Sequence, residues 1–253
     1  MRATFKLLMQ DALSIGRTVL APPACVVCGC VGSIYCPACM AEVPFPEPDP
    51  EPFPPLEALR CAAPFDAVRT PIHLLKYEGV RRLADPLAAR LADVVKQSGW
   101  PADVVVPVPL NITRLSERGF NQAALLASGV ARRCRLVCAP DAMRRLRHTT
   151  PQVTLNAQER AINVFGAFEA DPEQVKGRAV IVVDDVFTTG ATMCTCAEAL
   201  KQAGAAHVWG LAVARAAHHN DAPPPEPDGP SLSSKSHTQR SVLHADSNTR
   251  QEY

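Results

Sequence analysis

The stretch Val180-Ile-Val-Val-Asp-Asp-Val-Phe-Thr-Thr-Gly-Ala-Thr192 decides how the rest of the chain is read. Val180, Ile181, Val182 and Val183 make a continuous apolar, β-branched run, as in strands buried on both faces of a parallel sheet. The run ends in two adjacent carboxylates, Asp184 and Asp185. A short turn, Thr188-Thr189-Gly190, and a helix beginning near Ala191 follow. Open α/β sheets bind ligands at the carboxyl ends of such strands. The turn brings backbone N–H groups and small hydroxyls to a helix N-terminus, which suits a phosphate. Two carboxylates beside that point accept hydrogen bonds from vicinal hydroxyls, so a phosphorylated polyol such as ribose 5-phosphate matches both features. An incidental acidic pair is the poorer account, because adjacent carboxylates repel and a buried strand end is a costly place for them. No Lys lies in the turn and no Gly-Lys-Ser/Thr follows, which excludes a P-loop; the glycine spacing of a dinucleotide fingerprint is also missing.

The chain has 253 residues, enough for one or two domains, and 47% hydrophobic residues suffice for a core. Its 24 prolines are too many to be spread through regular structure. A net charge of +1 gives no strong global field, so nonspecific nucleic-acid binding would have to come from a local patch. No apolar run approaches the roughly 20 residues of a membrane span, and no membrane insertion is expected. Residues 3–20 carry Phe5, Leu8, Met9, Ala12, Leu13 and Ile15 at helical spacing, interrupted by Lys6, Asp11 and Arg17. That pattern predicts an amphipathic helix and not a secretion signal. Pro-Pro-Ala-Cys ending at Cys25 lacks the apolar block of a lipoprotein signal, and a cytoplasmic location is expected.

Ten cysteines in a cytosolic chain mean metal or buried thiols more often than disulfides. Cys25-x-x-Cys28 and Cys36-x-x-Cys39 each form a knuckle able to give two thiolates to one tetrahedral ion. Four thiolates suit Zn²⁺ in a structural role, since no position is left for water. Cys30 lies between the pairs as a competing ligand. Cys61, Cys134, Cys138, Cys194 and Cys196 read as small packing residues.

The expected organisation is residues 1–43 as amphipathic helix and metal module, 44–56 as a proline-rich linker, 57–216 as the main domain, and 217–253 as a disordered tail. Alternate proline from Pro44 to Pro55 favours a stiff extended spacer that would hold two bodies apart. The main domain alternates strands and helices. Strands are expected at Leu59–Ala63, Val104–Val106, Met143–Leu146, Val164–Phe168, Val180–Asp184 and His207–Ala214. Helices are expected at Pro71–Tyr77, Val80–Lys96, Asn121–Arg132 and from the Thr-Gly turn to Ala203. This order predicts an α/β fold with a mainly parallel sheet flanked by helices. The proline-, serine- and asparagine-rich end from Ala217 could bury little.

The opening segment closely resembles the phosphoribosyl diphosphate (PRPP) motif of type I phosphoribosyltransferases. Leu75-Lys76-Tyr77-Glu78-Gly79, Val106-Pro107-Val108-Pro109-Leu110, Arg118-Gly119-Phe120-Asn121-Gln122 and the stretch from Gln152 through Arg160 and Asn163 to Phe168 narrow this further. Together with the cysteine pairs they resemble the ComF family of bacterial zinc-knuckle, phosphoribosyltransferase-like competence proteins. Phe65-Asp66-Ala67 departs from the Tyr-x-Gly element that relatives often carry.

The resemblance implies a type I phosphoribosyltransferase fold with a small N-terminal zinc module at Cys25, Cys28, Cys36 and Cys39. It implies PRPP, or another ribose 5-phosphate ligand, held by Asp184, Asp185, Val186, Phe187, Thr188, Thr189, Gly190, Ala191 and Thr192, with Mg²⁺ reached through the carboxylates. Lys76, Arg114, Arg118, Arg144, Arg145, Arg147 and Arg160 are candidate partners of the diphosphate, with Gln152 in the loop that closes over it. Arg118 is favoured, and Asp184, Asp185 and Arg118 are the catalytic candidates. The implied reaction is phosphoribosyl transfer to an unidentified acceptor with release of diphosphate. The alternative is a non-catalytic competence factor for DNA uptake that binds single-stranded DNA and uses PRPP as a regulatory ligand. Arg132-Arg133-x-Arg135, Arg144-Arg145-Leu146-Arg147-His148 and the knuckle suit that role, though aromatic residues make up only 5% of the chain. A PRPP-sensing transcriptional regulator ranks last, since no helix-turn-helix signal is present.

Overall fold

The computed structural model describes residues 22–46, 53–146 and 166–216. In chain order these form α1 (Pro37–Ala41), β1 (Ala58–Pro64), α2 (Phe65–Lys76), a 3-10 turn (Arg81–Leu83), α3 (Ala84–Ser98), β2 (Val104–Pro107), α4 (Ile112–Arg118), α5 (Gln122–Cys134), β3 (Val137–Cys138), β4 (Met143–Arg145), β5 (Phe168–Ala170), α6 (Pro172–Val175), β6 (Ala179–Phe187), α7 (Ala191–Gln202) and β7 (His207–Arg215). Five strands make one parallel sheet in the order β1-β7-β6-β2-β3.

Burial on both faces explains why β6 is an unbroken apolar run. Ile181 and Val183 pack with Leu87 and Leu91 of α3 and Leu126 and Val130 of α5. Val180 and Val182 pack with Met193, Cys196 and Leu200 of α7. Alternate side chains of one strand thus serve two helical layers. The helices α3 and α5 approach closely at Gly129, where an added Cβ would sit 2.5 Å from the Ala88 Cβ. Asn111 and Asn121 cap α4 and α5, each side-chain oxygen accepting a backbone N–H at 2.9 Å, from Thr113 and Ala123.

Three differences from the sequence reading have clear causes. The helix α4 was not expected, because it buries no residue and so leaves no apolar period. Met143–Leu146 and Val164–Phe168 read as further strands of the main sheet. Instead β4 and β5 pair with each other antiparallel as a separate ribbon, joined by an Arg144–Glu169 ion pair at 2.6 Å. The cysteine module was expected to be a body apart, yet Cys25, Tyr35, Cys36 and Val43 share one apolar cluster with Leu83, Leu87 and Leu91. The expected helix at 3–20, the segment 147–165 and the tail from 217 lie outside the described residues.

Arg90 makes the connection between module and domain. Its side chain, on α3, is buried at 6% exposure. It donates to the carbonyls of Ala62 at 2.7 Å, Val43 at 2.6 Å, Pro44 at 3.0 Å and Met40 at 3.3 Å. Its guanidinium also lies 3.9 Å from the Phe45 ring centroid. The Val43 and Pro44 carbonyls, at the exit of the module, and the Ala62 carbonyl of β1 are thereby paired, as buried backbone requires. Arg90→Met keeps the apolar stem but strands these acceptors. It should lower stability by about 3 kcal/mol, seen as a lower urea midpoint with an unchanged slope; a midpoint equal to wild type would refute the role of the clamp.

Candidate functional site

At its carboxyl end β6 lies between β2 and β7, with Val183 opposite Pro107 and Leu211, and Asp184 opposite Ala212. Alternation along the strand puts Asp185 on the face of Ile181 and Val183, where α2 ends. There the Lys76 ammonium meets Asp185 Oδ1 at 2.8 Å. Asp185 is 4% exposed. Burial works against the Lys76 charge, but Asp185 beside it, with Asp184 nearby, more than offsets this and raises the ammonium above its ordinary range. The second oxygen, Asp185 Oδ2, is buried and has no hydrogen-bond partner. An acceptor oxygen left over in a paired, buried carboxylate can take a further donor or a cation.

Asp184 is half-buried and its Oδ1 accepts the Asp185 N–H at 2.8 Å. Burial, and then the charge of Asp185, push the Asp184 carboxyl up to about 7, against the pull of Lys76 and the backbone hydrogen bond. Near neutral pH one member of the acidic pair therefore exchanges its proton readily.

The turn after β6 exposes Thr188 and Thr189 and buries Gly190. Gly190 has φ 82°, and a Cβ there would come 2.8 Å from Phe187 Cζ, so only glycine fits. No side chain caps α7, and its N-terminal N–H groups face the turn region as an anion site requires. Phe187 is held edge-on against Phe53 at 5.1 Å between centroids, and the Arg215 guanidinium lies 5.6 Å from both rings. Sequence reasoning missed Phe53 and Arg215, which flank the motif from far away in the chain and carry no local signal.

The other motifs converge on the same edge. The Val108 N–H donates to Val183 O at 2.9 Å, and Asn121 Nδ2 donates to Val108 O at 3.0 Å. Arg118 donates to Gln122 Oε1 at 3.3 Å and lies 5.0 Å from the Tyr77 ring, next to Lys76. Arg81 stacks on Phe120 at 4.4 Å and donates to Gly119 O at 3.3 Å. The structure thus brings together Lys76, Arg118, Asp184, Asp185 and the 186–192 turn. Arg144 is committed to Glu169, and Arg145 lies 5.3 Å from the Phe168 ring. A cavity of about 380 Å³ opens between Pro109, Asn111, Leu115, Asn121, Arg144 and Arg145. Arg147, Gln152, Arg160 and Asn163 lie outside the described residues.

The four sulfurs of Cys25, Cys28, Cys36 and Cys39 lie within 4.8 Å of one another, a donor set that fits a tetrahedral thiolate metal. Their backbone supports ionisation. Cys36 N–H points to Cys25 Sγ and Cys39 N–H to Cys36 Sγ, both at 3.4 Å. Burial pushes the Cys25 thiol up, but N–H groups of Cys28, Cys36 and Val27 outweigh it and bring the thiol down to about 6. Cys30 is exposed and outside this set; hydrogen bonds to Cys28 and Cys36 hold its thiol up at about 12.

Residues 79–228 match the phosphoribosyl transferase domain family, which covers more than half of the chain. The chain belongs to that family, and its parallel sheet flanked by helices is the type I phosphoribosyltransferase fold. Its relatives then place it within the ComF group. It is 35% identical over 166 residues to DNA utilization protein YhgH of Escherichia coli K12, covering 62% of this chain and 73% of that protein. It is 36% identical over 130 residues to Competence protein F of Haemophilus influenzae, covering 50% of this chain and 56% of the relative. The match thus spans about half the length of Competence protein F. Among solved structures, the APRTase of Giardia lamblia complexed with 9-deazaadenine superposes with a TM-score of 0.36 and 16% identity, over 58% of this chain and 85% of that one.

The raised Asp184 carboxyl predicts a pH dependence. Its ordinary value is 3.8 and its folded value about 7. Between them the folded chain holds a proton that the unfolded chain has released, so raising the pH through this window lowers stability. Asp184→Asn removes the term. Its melting temperature should gain on wild type from about pH 4 to pH 7 and keep the gain above; parallel curves for the two proteins would refute the shift.

Proposed function

We propose that this chain binds PRPP at the carboxyl end of β6 and transfers its phosphoribosyl group, releasing diphosphate, in a role linked to competence and DNA uptake. The observation that carries the reading is Asp185, buried and ion-paired to Lys76 with Oδ2 left over, one residue from a carboxyl poised near pH 7. Asp184 and Asp185 accept the ribose 2- and 3-hydroxyls. The backbone and hydroxyls of Thr188–Thr192 hold the 5-phosphate at the uncapped start of α7. Arg118 and Lys76 set positive charge on the side of the Pro107–Leu110 loop, where the diphosphate would lie.

The orphaned Asp185 Oδ2 and the adjacent Asp184 fit Mg²⁺, which when bound neutralises charge on a leaving diphosphate. In the transfer the bond from C1 to the diphosphate oxygen breaks and an acceptor nucleophile bonds to C1. The acidic pair lies beside the cation-like ribosyl centre and stabilises it. The cysteine cluster is assigned to one structural zinc ion. Among the described residues no helix is long and apolar enough to cross a membrane, and a cytoplasmic location is part of the proposal. The competence role is supported by the names of Competence protein F and DNA utilization protein YhgH.

PRPP with Mg²⁺ should raise the melting temperature of wild type and leave the Asp184→Asn/Asp185→Asn double variant unmoved; equal shifts would refute the site. Incubation with PRPP, Mg²⁺ and a panel of bases and amines should release diphosphate with one acceptor class. PRPP binding without turnover on any acceptor would favour the non-catalytic, single-stranded-DNA-binding alternative. Metal analysis should find one zinc per chain, lost in Cys36→Ser/Cys39→Ser; a folded wild type free of zinc would refute the assignment.

A further inference from the structure

The helix α4 follows the Pro107–Leu110 loop, ends at Arg118, and buries none of its seven residues. So short a helix is marginal by itself, and helices in proteins are held chiefly by an apolar face packed against something. In α4 that face exists. Ile112 and Leu115, three residues apart, share one side of the helix, and they are 61% and 37% exposed.

Both side chains line the cavity of about 380 Å³ that α4 forms with the start of α5 and with β4. Leu146, 53% exposed, lines it too. Eight large apolar side chains are exposed among the described residues, and three of them gather at this one groove. Scattered singly they would call for no explanation. Gathered along a groove that Pro109, Ala124 and Pro140 also line, they form an apolar surface of the kind that marks a protein interface.

Charge selects what covers it. The charged side chains of the groove, among the described residues, are Asp141, Arg144 and Arg145. Glu169 adds a second acid through its ion pair with Arg144 across β4 and β5. Two acids and two arginines leave this rim without a net sign. A strongly acidic partner, or a strongly basic one, would meet like charge on half of it. A second copy of the same surface, turned about a two-fold axis, brings both signs with it. Acids can then face arginines on each side while apolar centre meets apolar centre.

We infer that this groove is the interface of a homodimer, in which α4 and the β4–β5 ribbon of one copy meet the same elements of the other about a two-fold axis. Ile112, Leu115 and Leu146 form its apolar centre, and Asp141, Arg144 and Glu169 form part of its rim. The dimer does not depend on the PRPP reading, because neither the acidic pair nor the 186–192 turn takes part in it.

Sedimentation velocity of the full chain over a dilution series reads the association. Wild type should sediment at twice the chain mass. Ile112→Glu and Leu146→Glu should each raise the concentration of half-dissociation about tenfold or more, since each sets an unpaired charge at the apolar centre. Both positions are exposed, and the Ile112→Glu carboxylate falls in the first turn of α4, where negative charge is favourable. An unchanged far-ultraviolet circular dichroism spectrum shows that the variants still fold. Val137→Glu, at an exposed apolar position on the edge strand β3, should leave the dimer intact. A photo-crosslinker placed at Leu115 should join two chains, with its partner peptide inside residues 109–146 of the second copy. Four results overturn the interface: a wild type that is monomeric throughout, a dimer indifferent to Ile112→Glu and Leu146→Glu, a dimer broken by Val137→Glu instead, or a crosslink that stays within one chain or reaches another surface.

Discussion

The buried ion pair between Lys76 and Asp185 is the interaction on which the candidate ligand edge depends. A lone carboxylate at 4% exposure would be strongly disfavoured, and a buried ammonium no less so. Together, at 2.8 Å, each makes the other tolerable. The pair also fixes geometry, because Lys76 is the last residue of α2 and Asp185 nearly the last of β6. With that helix end tied to the strand end, Tyr77 sits where Arg118 can lie against its ring. One electrostatic contact thereby aligns three segments that are far apart in the chain. It also sets the neighbouring charge, since burial and Asp185 together raise Asp184 to about 7.

Around this contact the structure spends conformational freedom on backbone placement. Gly190 takes a left-handed conformation under the Phe187 ring, and Phe53 and Arg215 keep that ring in place. The result is a turn whose N–H groups are positioned before any ligand arrives, so less ordering remains to be done on binding. The central strand supplies the rigidity: β6 is hydrogen-bonded on both sides, and its alternating side chains lock into two helical layers.

The cysteine module obeys a different constraint. It is too short to bury a core of its own, so it borrows one. Arg90 reaches across from α3 to four carbonyls, and Cys25, Tyr35 and Cys36 join the apolar cluster of the main domain. Free energy released by a metal taken up at these four thiolates would therefore stabilise α3 and the sheet behind it as well as the knuckle.

Much of this was legible in the chain. The β6 segment announced its strand, turn and helix through consecutive residues, and the two Cys-x-x-Cys pairs announced a ligand set whose four sulfurs do come together. Composition and local periodicity determine such features because each needs only neighbours in sequence. Other features were invisible for the same reason. The surface helix α4 buries nothing and shows no apolar period, and the β4–β5 ribbon depends on which strand pairs with which. Among the candidate cations, sequence favoured Arg118 and could not separate Lys76 from Arg144; only folding commits Arg144 to Glu169 and turns Lys76 onto Asp185. The sequence by itself determined the strand–turn–helix edge and the four-cysteine cluster that this chain carries. The tertiary structure decided which charges face each other, that the module shares the domain's core, and that Leu115 and Leu146 line one groove, because those are contacts between residues that no local pattern connects.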